Sequence, residues 1–416
     1  MSSTFSIALS ALQAQSEAIN TTGNNLANLN TTGFKGSTVS FKDLFGETLG
    51  ANNSFQVGLG VGVPISQTVF SQGAIQNSES SYAAAVQGNG FFVVNSPTKE
   101  QLFTRDGTFT LDASGTLKTQ TGETVQGWTA TASGISTAGA PGDIVLPTGA
   151  VLPPNPTKNL SISANLDAAA AVGSSDASYQ VPIQVTDSLG NEHALTFTFT
   201  KTAANTWNYD VTIPGGDLTG GTAGTEVSIL SSPGTVSFDS SGNMTSSTSP
   251  VALSVGGLAD GASPLSINWS MADASGSPLI TQYSEGSTSS SKQDGFQGAQ
   301  LSGIGIQNGG QVVATFSNGQ QKVEAQLALA TIQNPDSLSN VGNNNYAATA
   351  KTATPSIGVP QTGGRGQIDG GALEGSNVDL ATQFTNLIVY QSAYQAASKV
   401  ITTADQMIQD LLNVIH

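Results

Sequence analysis

The chain contains no cysteine among its 416 residues. That excludes a disulfide framework, a thiolate metal site and thiol catalysis. Charge is scarce as well. Asp, Glu, Lys and Arg make up 10 % of the residues, against about 25 % in ordinary globular domains. Only 12 residues are Lys or Arg, no two of them adjacent, against 28 Asp or Glu, for a formal net charge of −16. Neutralising phosphate takes a basic stripe, so nucleic acid is excluded as a partner, and an anionic membrane surface with it. No apolar run reaches the roughly 18 residues that a membrane-spanning helix needs, so no membrane insertion is expected. The first basic residue is Lys35 and the preceding stretch is amphipathic, so no cleaved secretory signal is expected.

Histidine occurs twice, as His193 and His416. His193 follows a turn in Asn191-Glu192-His193 and reads as a solvated loop residue. There is no H-E-x-x-H, G-x-S-x-G or Walker motif. Gly58-Leu59-Gly60-Val61-Gly62 is a weak dinucleotide signal with no helix after it, because Pro64 follows, and it reads as a strand. No catalytic residue, metal ligand or cofactor is expected, and the chain does not read as an enzyme.

What is present is order at the two ends. The chain has 48 Gly and 16 Pro, yet Ser376 to His416 contains neither. Leu387, Tyr394, Ile401, Ile408 and Ile415 recur every seven residues, with Tyr390, Ala397, Ala404 and Leu411 three residues after the first four. That is the a/d seam of a coiled-coil-like helix. Ser376-Asn377-Val378-Asp379 has capping-box spacing, with Ser376 as the expected N-cap. About 40 helical residues would make a rod of roughly 60 Å. Phe5, Leu12, Ile19 and Leu26 repeat the seven-residue spacing at the other end. Two readings stand: a helical hairpin closing one domain, or terminal helices that assemble with copies from other subunits. A lone helix of this composition is marginal, so the final one should order mainly on assembly.

Between the ends, period-2 apolar patterns indicate β structure. Leu160, Ile162, Ala164 and Leu166 alternate, as do Val181, Ile183 and Val185, Phe197 and Phe199, and Trp207, Tyr209, Val211 and Ile213. Asp-x-x-Gly recurs at Asp112–Gly115, Asp187–Gly190, Asp239–Gly242 and Asp273–Gly276 and reads as hairpin turns. Asn318-Gly319 predicts a two-residue primed turn. The expected fold is mainly β with long terminal α-helices: nested antiparallel barrel or sandwich domains plus the helix pair. The expected order is an N-terminal helix over 1–30, an extended connector over 31–70, and the first half of a middle β domain over 71–145. An inserted outer β domain follows over 146–284, leaving at the Ser287–Ser291 run. The second half of the middle domain is expected over 285–358, a return connector over 359–375 and the C-terminal helix over 376–416.

Three stretches carry a resemblance. Leu9-Ser10-Ala11-Leu12 through Asn24-Asn25-Leu26-Ala27-Asn28 to Thr32-Gly33-Phe34-Lys35 resembles the N-terminal signature of bacterial flagellar axial proteins. Ser376-Asn377-Val378-Asp379-Leu380 through Tyr390-Gln391-Ser392-Ala393-Tyr394-Gln395 resembles their C-terminal signature. Gln87-Gly88-Asn89-Gly90-Phe91-Phe92 with Phe103-Thr104-Arg105-Asp106-Gly107 resembles their first β domain. The length, with its large insertion, implies the hook-forming branch of this rod and hook family. The alternatives are a distal-rod or hook–filament junction protein, or an extracellular β-sandwich adhesin.

The resemblance implies a structural subunit polymerising into a curved, hollow, flexible tube, a universal joint that transmits torque from rod to filament and conducts exported subunits. Its main partner is then itself, with rod, hook-cap, hook-length-control and hook–filament junction proteins and the type III export apparatus around it. Its location is extracellular, in the flagellar hook. Phe41 and Phe45 have the Phe-x-x-x-hydrophobic spacing of an export-gate element, with a buried anchor in the connector as the other reading.

Overall fold

The computed structural model describes residues 2–45, 58–131, 134–149 and 151–414. The chain divides into two compact units. The first comprises Met1–Thr148, Gly303–Thr315 and Gln321–His416, and the second Gly149–Ser302 with Phe316–Gln320.

In the first unit, helix α1 (Ser2–Ala27) and helix α2 (Leu380–Val414) pack side by side. Asn25, near the end of α1, donates from Nδ2 to Gln383 Oε1 near the start of α2 at 3.1 Å, so the pair is antiparallel. At 35 residues α2 is about 52 Å long. Its N-cap is Asp379, not Ser376: the Asp379 carboxylate accepts from Thr382 N–H at 2.8 Å and its carbonyl from Gln383 N–H at 3.0 Å. Ser376 instead accepts weakly from Val378 N–H at 3.3 Å, a turn ahead of the helix. An aspartate so placed also sits favourably at the positive end of the helix.

The connector after α1 is a β ribbon. Ser37–Ser40 pairs antiparallel with Ile65–Thr68, and Asp43–Phe45 with Gly58–Val61. The Gly58–Val61 strand lies on α1, where Ser10 Oγ accepts from Val61 N–H at 3.3 Å. Gly60 has φ +96°, and a Cβ there would stand 2.5 Å from Ser10 Oγ. The glycine run thus lets backbone lie against a helix. The return connector also carries strands: Gln367–Gly370 pairs with Ala84–Gln87, and Ala372–Glu374 with Ile75–Asn77.

The β core of this unit is an antiparallel sheet in the order Gln321–Leu327, Thr124–Thr131, Phe91–Asn95, Gln101–Thr104, Asn345–Ala347. Trp128 pairs with Gln326, so segments before and after the insertion share one sheet. Phe91, Phe103, Trp128, Ala330 and Tyr346 pack together there, with Phe70 from the end of the connector set edge-on against Phe91 and Tyr346.

The second unit has two five-stranded sheets around one core. Ser178–Thr186, Glu192–Ala203 and Thr206–Pro214 form an antiparallel meander whose residues alternate between buried and exposed. The other sheet is mixed, because Asn159–Asn165 pairs parallel with Leu265–Ser270 and with Ile280–Thr281. Trp269 meets Phe197 and Tyr209 edge-on at 4.9 and 5.0 Å, and Trp207 donates to Gln282 Oε1 at 2.9 Å. The serine run is a strand of this unit: Thr288–Gln293 pairs antiparallel with Asn159–Asn165. Every side chain of that strand is exposed, so backbone pairing holds it and hydropathy gives no sign of it.

All four Asp-x-x-Gly segments are capped turns. In each, one Asp oxygen accepts from the N–H groups two and four residues on. Asn318-Gly319 is different. Only Gly319 has a positive φ, and Phe316 N–H reaches Gln320 O, so the loop is the three-residue type and not a primed turn.

His193 is not a solvated loop residue. It is 6 % exposed, beside the buried Asp187 and close to Asp217. Burial works against its charge, yet hydrogen bonds to Asp217 and Asp187 outweigh that and raise its pKa.

Candidate functional site

The chain termini meet the β body of the first unit at a buried polar latch. Gly33 turns the chain with φ +68°, and any Cβ there would lie 2.6 Å from Asp106 N. Gly33 N–H donates to Glu374 O at 2.7 Å. Phe34 and Lys35 follow, both buried. The Lys35 ammonium donates to Glu374 Oε1 at 2.6 Å and to Ser71 O at 2.8 Å. Arg105 donates to the other Glu374 oxygen at 3.1 Å and to Gly88 O at 2.8 Å, and its guanidinium lies over the Phe91 ring at 5.2 Å. Gly73 N–H adds a 2.8 Å bond to Glu374 Oε1. The side chains of Lys35 and Glu374 are wholly shielded from solvent. Burial lowers the pKa of Lys35, against the pull of the Glu374 carboxylate.

Two asparagines tie the helices to this latch through backbone. Asn25 receives Ser37 N–H at 2.9 Å and donates to Ser37 O at 2.7 Å, the bidentate match of a side-chain amide to a peptide. Asn377 receives Gly36 N–H at 2.8 Å and donates to Val69 O at 2.7 Å. Asn25, Gly33, Phe34 and Lys35 of the N-terminal signature are therefore the buried joint between α1, the connector and the β body. Asn24 and Asn28 pair with each other on the surface, with Asn28 Nδ2 donating to Asn24 O at 3.0 Å. Ala27 is exposed at the helix end and Leu26 half-buried. Glu374 and Arg105 complete the joint. Nothing in the sequence marks Glu374, because a lone acid in a Gly-rich stretch gives no periodic signal.

The predicted seam is divided. On α1 the buried side chains are small or polar: Ala8, Ala14, Ala18, Thr21, Thr22 and Asn25. Leu12 and Ile19 are half-buried, and Phe5 is exposed. On α2, Gln383, Leu387, Tyr390, Ala397, Ile401 and Ala404 form a half-buried stripe, while Tyr394 and Ile408 are exposed. Part of the seam thus closes the hairpin within the chain, and small residues on α1 let the helices approach. The side chains of Phe45 and Leu411, and all of Ile415, lie outside the described residues. Phe41 sits 6.1 Å from Tyr390, ring to ring, and is 40 % exposed, so it rests on α2 as a partial anchor.

What the hairpin leaves outside is apolar. Leu380, Phe384 and Ile388 follow one another by single turns, and Val389, Val400, Met407 and Leu412 continue down the helix. Ile388 is 62 % exposed and Met407 63 %. Phe5 and Leu9 add one turn of α1. No helix among the described residues is long and apolar enough to cross a membrane. Charged residues are nearly absent from these faces, so the helices are fitted for packing on several sides by other protein surface.

Sequence comparison identifies this arrangement, a helical hairpin latched to a β body with a β sandwich inserted in the chain, as that of a flagellar rod and hook protein. Residues 5–35 match the flagella basal body rod protein family and 85–165 the flagellar hook protein FlgE/F/G D1 domain. Residues 163–296 match the flagellar basal body protein FlaE D2 domain and 369–414 the flagellar basal body rod FlgEFG protein C-terminal family. The chain is 32 % identical to the flagellar hook protein FlgE of Treponema pallidum, covering 98 % of both chains. It is 32 % identical to that of Salmonella typhimurium, covering 99 % of both. Its fold is similar to the crystal structure of Helicobacter pylori flagellar hook protein FlgE2, with a TM-score of 0.53 and 15 % identity over 71 % of this chain and 99 % of that one. The chain belongs to the flagellar hook protein family.

Proposed function

We propose that the chain is the structural subunit of a bacterial flagellar hook, polymerising through its terminal helices into a hollow, curved tube that transmits torque. The observation that carries this reading is the pair of apolar helix faces left uncovered once the hairpin has closed. Each large side chain buried there would contribute about 1.5–3 kcal/mol, and a contact that does not close on itself yields a helical polymer. The Gly-, Ser- and Thr-rich β surfaces suit outer contacts that shift as the tube bends. Rod, hook-cap, length-control and junction proteins are the natural partners at its ends. Export through the flagellar type III apparatus is the route that a hook subunit would take, with Phe41 and Phe45 as the candidate gate element.

Negative-stain microscopy of concentrated full-length protein tests the reading. Tubes support it, and monodisperse particles at all concentrations overturn it. Replacing Ile388 and Val400 by Asp should abolish the tubes while leaving the circular dichroism of the dilute chain unchanged. Removing residues 149–302 should leave tubes that form but lose curvature.

A further inference from the structure

In the second unit, four side chains converge at one end of the sandwich. His193 lies near the start of the Glu192–Ala203 strand, and Asp187 opens the turn just before it. Asp217 and Asp260 come from two loops clipped together by Thr219 N–H to Gly257 O at 2.7 Å and Ala259 N–H to Asp217 O at 2.9 Å. His193 Nε2 faces Asp187 Oδ2 at 3.3 Å and Asp260 Oδ2 at 3.5 Å. The ligand-type atoms of these three residues lie within 4.8 Å of one another. His193 Nδ1 lies 3.1 Å from Asp217 Oδ2.

The spacings separate two kinds of interaction. A charge-assisted N–H···O bond spans about 2.7–2.9 Å; the Nε2 hydrogen bond to Asp187 is long for that at 3.3 Å, and Asp260 is farther still at 3.5 Å. Bonds of about 2.0–2.1 Å to a tetrahedral zinc ion place neighbouring ligand atoms roughly 3.3–3.4 Å apart. The nitrogen-to-oxygen separations match that edge. Asp217 at the opposite ring nitrogen supplies the carboxylate that fixes the tautomer of a metal-bound imidazole. Asp187 is already fixed: its Oδ1 receives Leu189 and Asn191 N–H at 2.8 Å each, which leaves Oδ2 directed at the imidazole. Asn191 holds Asp260 Oδ2 at 2.9 Å. Charge points the same way. Three carboxylates surround one imidazole, Asp187 is fully buried, and no Lys or Arg of the described residues pairs with any of them. A divalent cation would neutralise two of those charges where a single proton neutralises one.

We propose that Asp187, His193 and Asp260 form a zinc-type divalent cation site, with Asp217 orienting His193 through Nδ1–H. Bound metal ties the Asp187 turn to the 217 and 260 loops, and so stiffens that end of the insertion without any catalytic role.

The test is titration of metal-stripped full-length protein with zinc chloride by calorimetry, with cobalt chloride followed by visible absorption. One equivalent should bind, with the d–d bands of four-coordinate cobalt. His193→Gln should weaken binding at least 100-fold and Asp217→Asn by about 10- to 100-fold, while His416→Gln leaves it unchanged. Absence of stoichiometric binding by the folded wild-type chain overturns the proposal. So does binding that survives His193→Gln, or that is lost with His416→Gln. Should His193→Gln fail to fold, the cobalt spectrum of the wild type and the Asp217→Asn titration decide.

Discussion

Replacing Glu374 by Ala removes the one carboxylate that two buried cations share. Lys35 keeps its bond to Ser71 O, and Arg105 its bond to Gly88 O. Neither then has a counter-charge, and Gly73 N–H loses its acceptor. Removing one partner of a buried ion pair costs about 3–5 kcal/mol, because a desolvated charge is left behind. In a unit of this size, each kcal/mol shifts the midpoint by roughly 2–4 °C, so the transition of the first unit should fall by about 6–20 °C. The second unit has its own core, and its transition should stay where it is. Differential scanning calorimetry of the full-length chain reads both together. The companion substitution Lys35→Met removes a charge along with its partner bond, leaves Glu374 paired with Arg105, and should cost clearly less. A loss below about 1 kcal/mol for Glu374→Ala, or equal losses for the two variants, would refute the reasoning that the latch is held by charge compensation.

Asn25→Ala strips the Ser37 peptide, and Asn377→Ala the Gly36 N–H and Val69 carbonyl, of their side-chain partners, and each should cost about 1–3 kcal/mol in the first unit by urea denaturation. Trp269→Ala should destabilise the second unit by about 3–5 kcal/mol and leave the first unaltered, since its ring fills the centre of the sandwich. Bonds from Lys99, Gln126 and Thr124 depress the pKa of Asp143 to about 2. A depressed carboxylate contributes stability that is present above its unfolded pKa and lost as pH falls through its folded one. Acid unfolding of the first unit should therefore steepen between about pH 4 and 2, and Asp143→Asn should flatten that slope. Amide exchange in 384–410 should slow markedly when the dilute chain is brought to polymerising concentration, and unchanged exchange would count against helix burial between copies.

Much of this was legible in the residues, and the exceptions have common causes. The heptads marked both helices because burial on one face imposes a period on side chains. The seam did not reveal that half of it closes a hairpin, since an a/d pattern is the same whether the partner helix is the chain's own or a neighbour's. The alternating strands of the sandwich were visible through Trp207, Tyr209 and Val211, whereas Thr288–Gln293 was not, because its side chains are all exposed and its pairing is by backbone. In the connector, Gly58–Val61 was legible as a strand, but its partner Asp43–Phe45 and the pair Ser37–Ser40 with Ile65–Thr68 are too short to carry a visible period. The latch was half legible. Asn25, Gly33 and Lys35 stood in a recognisable signature, but their partners Glu374 and Asn377 lie more than 300 residues away. His193 was misread because sequence places it after a turn, while its burial comes from loops at 217 and 260.

The absence of cysteine makes the central claim directly measurable. A single cysteine introduced at position 388 in place of Ile, and a control in place of the exposed Ser247, can be reacted with maleimide in the dilute chain and in the assembled state. Both should label freely in the dilute chain, and only position 388 should become protected on assembly. Equal labelling of position 388 in intact tubes would contradict burial of the helix faces between subunits.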